Sequence, residues 1–225
     1  MIKNKKIFIA VDTSNVQTAS KIISHTKNIK FKIGYKFGLE FINSKKGRSF
    51  ITKVKNKIVF MDLKLNDIPK TMTNTIKALR DLKINYLTVH ISSGLEALKA
   101  VKKSSKNIKI VGVTTLTSLD NKDLKMIGHT KSIKNLVIQQ ARLANKAKLD
   151  AIVCSAQEIS VVKKVFKKEI ITPGMRLNKK SNDQKRVSTP NEAFKNGCDW
   201  IVIGRPITKG NVKQNIQYLE NHLSK

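Results

Sequence analysis

Eight short apolar runs rich in β-branched residues recur along the 225-residue chain, at positions 7–12, 31–35, 58–64, 86–90, 108–116, 151–155, 170–174 and 200–207. Nearly continuous apolar runs of this length suit strands covered on both faces, the signature of a parallel sheet. Helix-like stretches lie between them at 14–26, 71–82, 133–147 and 191–196; Ser14 is placed to cap the first, and Ile76, Leu79 and Leu82 share one helical face in the second. Alternating strand and helix implies right-handed crossovers and parallel pairing. Eight such units fit a closed, eight-stranded parallel β/α (TIM) barrel, α/β in class, as one domain over residues 1–225. An open doubly wound sheet is the alternative, weakened because no G-x-G-x-x-G turn follows the first run. No Pro/Gly linker, charge block or repeat divides the chain.

Lys+Arg total 45 against 15 acidic residues, a formal charge of +30. Such a field attracts polyanions and phosphorylated metabolites. The lysines are spread along the whole chain, and aromatics are only 5% with no base-stacking motif, so neither a specific nucleic-acid partner nor a membrane is expected. Cys154 and Cys198 have neither metal-ligand nor disulfide-framework spacing, which suits a reducing cytoplasm. The apolar run after the basic N-terminus stops at Asp12, too short for a signal peptide, and no segment approaches the ~18 apolar residues of a membrane span.

In a β/α barrel the chemistry sits at the C-terminal strand ends. The third run ends FMDLKLNDIPKT, which places Asp62, Lys64 and Asp67 there. Residues 62 and 64 are two apart and share a face of the strand. A lysine among carboxylates stays protonated and can act as a general acid; a rim salt bridge uses the same residues. Lys32, inside the apolar run FKIGY, needs a carboxylate partner from the neighbouring strand unless it snorkels outward. Asp12 ends the first run, where it can accept hydrogen bonds from a ligand hydroxyl or cap the following helix. TPGMRL and IGRPIT put Arg176 and Arg205, two of only six arginines, at the last two strand ends. Their planar forks suit phosphate, and Gly204 lets backbone N–H groups approach it; rim salt bridges are again the plainer use. His25, His90, His129 and His222 have no metal-ligand spacing; His90 ends a strand and can line the site.

These segments, together with VCSAQE (153–158) and DQKRVSTP…GCDWIVIGRPIT (183–208), resemble the bacterial orotidine 5′-monophosphate decarboxylases over nearly the whole chain. The resemblance implies a homodimeric barrel that converts orotidine 5′-monophosphate to uridine 5′-monophosphate and CO₂, with no metal or organic cofactor. It implies a charged network of Lys32, Asp62, Lys64 and Asp67, with Lys64 as proton donor to the pyrimidine C6. It further implies ribose contact by Asp12 and reach of Asp67 and Thr71 into the partner's site. Ligand contact by Thr117, pyrimidine contact by Ser118, and a phosphate side of Arg176, Gln184, Gly204 and Arg205 complete the set. The Mg²⁺-using sugar-phosphate decarboxylases and aldolases share the barrel and the D-x-K-x-x-D strand; an acid in place of Lys32 would mark them.

Overall fold

In the computed structural model the described residues are 5–26, 29–177 and 188–224. Eight parallel strands pair in chain order and close on themselves. They are β1 (Lys6–Ala10), β2 (Lys32–Gly38), β3 (Ile58–Leu65), β4 (Tyr86–His90), β5 (Lys109–Val113), β6 (Ala151–Val153), β7 (Glu169–Thr172) and β8 (Trp200–Ile203). The longer crossover helices are α1 (Val16–His25), α4 (Pro69–Ala78), α5 (Gly94–Ser104) and α7 (Ile133–Lys146). Shorter ones are α2 (Leu39–Ile42), α3 (Gly47–Ile51), α6 (Asn121–Met126), α8 (Ile159–Val165), α9 (Pro190–Lys195) and α10 (Arg205–Thr208). The chain returns in α11 (Val212–Ser224). Among the described residues no helix is long and apolar enough to cross a membrane.

Every strand falls within or beside an apolar run; β4 matches its run at both ends, and β8 stops four residues before its run does. β2 runs three residues past Tyr35 because its ladder with β3 continues from Gly34↔Ile58 to Gly38↔Asp62. The first helix is capped by Asn15, not Ser14: the Asn15 side chain accepts the Thr18 N–H at 2.9 Å. α4 starts at Pro69, whose fixed φ suits a first helical turn and whose missing N–H costs nothing there. α5 lies outside the stretches read as helix-like; its buried face is short, only Ala97, Leu98 and Val101.

The pleat divides the strand residues between two cores. Odd-numbered residues of the first four strands (Ile7, Ile9, Tyr35, Phe37, Val59, Met61, Leu87 and Val89) face the helices. Even-numbered residues point into the barrel, where Phe8, Phe60, Tyr86 and Trp200 form an aromatic layer. Phe8 lies at its centre, stacked on Trp200 with centroids 4.1 Å apart and tilted or edge-on to Phe60 at 4.8 Å and Tyr86 at 5.2 Å. Gly34 is required beside it, since a Cβ there would come within 2.5 Å of the Phe8 ring. Beneath this layer the Tyr86 hydroxyl donates to Glu169 at 3.0 Å, and Lys109 bridges the same carboxylate at 3.1 Å. Burial and Glu169 push the Tyr86 phenol up to about 12. The lower half of the barrel is therefore filled, and the upper half is left for a site.

Phe8→Ala removes the central ring of the layer. Its expected effect is a loss of about 3–5 kcal/mol of unfolding free energy, read by urea titration of the fluorescence of Trp200, the only tryptophan.

Candidate active site

Four charged side chains of alternating sign cross the mouth of the barrel. Asp12 follows β1, Lys36 and Asp62 lie in β2 and β3, and Lys64 is two residues beyond Asp62. The Lys36 Nζ sits 3.1 Å from Asp12 Oδ1 and 3.2 Å from Asp62 Oδ2. The other Asp62 oxygen, Oδ1, accepts from Lys64 Nζ at 2.9 Å and from the Thr88 hydroxyl at 3.1 Å. The middle pair is buried, with side chains of Lys36 and Asp62 only 11% and 14% exposed, while Asp12 and Lys64 open to the cavity at 60% and 36%. Burial drags the Lys36 ammonium down, but Asp62 and Asp12 together outweigh it and hold the group above its ordinary 10.5. Burial likewise raises the Asp62 carboxyl, and Lys36 and Lys64 more than reverse this, leaving it below 3.8. Both stay ionised because each neutralises the other.

The lysine from β2 is therefore Lys36, and the expectation for Lys32 is corrected. Lys32 is the first residue of β2, exposed, and level with Lys6 at the foot of the barrel. The sequence holds two K-x-G triplets in tandem, Lys32-Ile33-Gly34 and Lys36-Phe37-Gly38. Four residues apart, they share a face, so parity cannot choose between them. They differ in height by about 13 Å, which puts only the second at the mouth. Gly38 borders the ion pair without being required by it: a Cβ there would lie at ordinary contact distance, 3.6 Å from Lys36 Nζ and 3.7 Å from Asp12 Oδ1.

A cavity of about 430 Å³ opens above Phe60, Val113, Val153 and Val202. The charged chain forms one wall; Arg176, Gly204, Arg205 and Lys209 stand on another, with Thr117 at the rim. Lys209 and the buried Cys154 line it too, and sequence reasoning singled out neither. Lys209 had a findable signal, lying four residues past Arg205 in the same short turn of chain. Ser118 is exposed and outside the lining. Asp67 and Thr71 are exposed on the loop after β3 and the first turn of α4; Asp67 accepts the Ile68 N–H at 2.7 Å, and neither residue lines the cavity. Gln184 lies outside the described residues. His90 is half-buried at the end of β4, and burial and Lys64 push its imidazole below 6.5 against the pull of Asp62, so it is neutral near pH 7. No cluster of three or more His, Cys, Asp or Glu able to hold a metal occurs among the described residues.

A family model described as orotidine 5'-phosphate decarboxylase / HUMPS family matches residues 5–216. A curated relative from Wolbachia pipientis subsp. Culex pipiens, named orotidine 5'-phosphate decarboxylase, is 43% identical over 210 residues, covering 90% of this chain and 91% of that one. A relative of the same name from Coxiella burnetii is 36% identical over 217 residues, covering 91% and 90%. Among solved structures, orotidine 5'-phosphate decarboxylase from Lactobacillus acidophilus superposes with a TM-score of 0.82 at 26% identity, over 98% of this chain and 100% of that one. The orotidine 5'-monophosphate decarboxylase from Methanocaldococcus jannaschii, 23% identical, shares the fold with a TM-score of 0.80 over 98% and 99%.

The two buried charges set the pH limits of stability. The contribution of Asp62, whose carboxyl is depressed, is present above its unfolded value near 3.8 and is lost as pH falls through the folded one. That of Lys36, whose ammonium is raised, is complete below 10.5 and is lost as pH climbs through its folded value. In Lys36→Ala the Asp62 carboxyl moves upward, so acid unfolding begins at higher pH than in the parent. Lys32→Ala is expected to stay within about 0.5 kcal/mol of the parent throughout. Urea midpoints measured across the pH range separate the two variants.

Proposed function

Because the chain belongs to the orotidine 5'-phosphate decarboxylase / HUMPS family, we propose that it is a carboxy-lyase acting on orotidine 5′-monophosphate. The products are uridine 5′-monophosphate and CO₂, which makes this the closing step of UMP synthesis. The observation that carries the reading is the Asp12–Lys36–Asp62–Lys64 chain, ending in a lysine that opens to the cavity.

Loss of CO₂ leaves the electron pair of the broken C6–carboxyl bond on a ring carbon with no adjacent sink. The Lys64 ammonium stabilises that developing charge electrostatically and then passes one N–H proton to C6. Solvent reprotonates the amine. Asp62, kept ionised by Lys36 and hydrogen-bonded to Lys64 Nζ at 2.9 Å, aims the ammonium and sets a negative charge beside the departing carboxylate. Lys36 takes the network role that the resemblance had given to Lys32. Asp12, the most exposed member, is placed for ribose hydroxyls. Thr117, at the rim, serves the pyrimidine side, and Ser118, outside the lining, is assigned there by resemblance alone. The phosphate falls to Arg176, Gly204 and Arg205, with Lys209 adding a fourth group and Gln184 assigned there by resemblance. Binding energy gathered at that remote end lowers the barrier at C6 only where it is realised in the transition state.

The homodimer, with Asp67 and Thr71 reaching the partner's site, is supported by exposed Leu39, Ile68, Leu116, Met126 and Ile127, which lie in the segments that follow β2, β3 and β5. The cytoplasm is the compartment that suits two buried free thiols.

Purified protein is expected to consume orotidine 5′-monophosphate in a continuous ultraviolet absorbance assay. Lys64→Ala should lower kcat by at least about 10³-fold with an unchanged circular dichroism spectrum. A chelator should leave the rate untouched; its loss on chelation would point instead to the Mg²⁺-dependent sugar-phosphate chemistry.

A further inference from the structure

β3 and β4 do not keep a regular ladder at the mouth. Their pairing runs Met61↔Leu87 and resumes at Leu65↔Val89, so β3 advances four residues while β4 advances two. Asp62, Leu63 and Lys64 thus lie opposite Thr88 alone. The surplus is taken up at Lys64, whose φ is 50°, in the left-handed region that side chains with a Cβ rarely enter. This bulge interrupts the ladder at the residue proposed to donate the proton.

Thr88 fills the gap. It is 1% exposed and projects inward from β4, between Tyr86 and His90 on the same face. Its hydroxyl accepts the Lys64 backbone N–H at 2.8 Å and donates to Asp62 Oδ1 at 3.1 Å. The two bonds fix each other. An oxygen that receives the N–H must turn its own hydrogen elsewhere, and among the described residues the anion it meets is the carboxylate oxygen that also receives Lys64 Nζ. One buried hydroxyl therefore ties the backbone of Lys64 to the carboxylate that holds its ammonium.

We propose that Thr88 is a positioning residue for proton delivery, holding the left-handed turn at Lys64 and the Asp62 carboxylate in register with each other. The proposal rests on the function assigned to Lys64 above, but its geometry does not depend on the identity of the substrate. Asp62 is faced by Lys36 from β2, Lys64 from β3 and Thr88 and His90 from β4, with Asp12 beyond Lys36. Thr88 is the one hydrogen-bond donor among these that carries no charge in any protonation state.

Thr88→Val keeps the shape and strand preference while removing both bonds; Thr88→Ser keeps the hydroxyl. The expected result with orotidine 5′-monophosphate is a kcat reduced about 10–100-fold in Thr88→Val, with KM changed less than about threefold because the phosphate side is remote. Thr88→Ser should recover to within about threefold of the parent. Independently of turnover, ¹³C NMR of the Asp62 carboxyl should show it titrating at higher pH in Thr88→Val and at the parental pH in Thr88→Ser, since the lost donor favoured the ionised form. Should Thr88→Val not fold, Thr88→Ala serves in both measurements. A parental kcat in Thr88→Val, failure of serine to rescue, or an unmoved Asp62 titration overturns the proposal. A parent protein inert toward orotidine 5′-monophosphate overturns the assigned function instead, and the NMR titration then decides the role of Thr88 by itself.

Discussion

The site depends on burying Lys36 against Asp62. Removing two unit charges from water is expensive, and their mutual attraction repays it only with good geometry and further partners on the remaining valences. The barrel supplies both. Lys36 has a second carboxylate in Asp12, and Asp62 has a second ammonium in Lys64 and a hydroxyl in Thr88. Parallel strands in register place these groups at one height, and the aromatic layer below provides the dry floor that makes their interaction strong. The outer pair, Asp12 and Lys64, remains open to the cavity and is poised by the inner pair.

The barrel was legible from the spacing of the apolar runs because eight strands covered on both faces leave a repeating pattern, with the open doubly wound sheet set aside only for want of a G-x-G-x-x-G turn. Helix positions were less so, since the buried stripe of α5 is only Ala97, Leu98 and Val101 and tertiary packing, not propensity, holds such a helix. At the site, Asp62 and Lys64 could be read from their position at the end of an apolar run. Lys36 could not be told from Lys32, because pleat parity reports face and not height. The choice belongs to the β2–β3 ladder, a long-range pairing that no local pattern states. The bulge opposite Thr88 was hidden for the same reason: it exists only as a mismatch between two strands. Asp67 and Thr71 lie off the cavity, on exposed surface.

The lysine excess is not uniform in space. Turns at the foot of the barrel carry exposed Lys53, Lys55, Lys57, Lys106, Lys148 and Lys167, while the acidic groups there, including Asp81, Asp150 and Glu169, are engaged in ion pairs. At the mouth, acidic and basic groups interleave, as along the chain from Asp12 to Lys64. The overall positive field draws anions toward the molecule, and local pairing at the rim decides where one can settle.

Phe8 and its neighbours make the cylinder a cul-de-sac. With aromatic rings packed across it and Lys6 resting 5.7 Å above the Trp200 ring from beneath, nothing passes through the lower end. Arrival and departure therefore share a single doorway at the upper end.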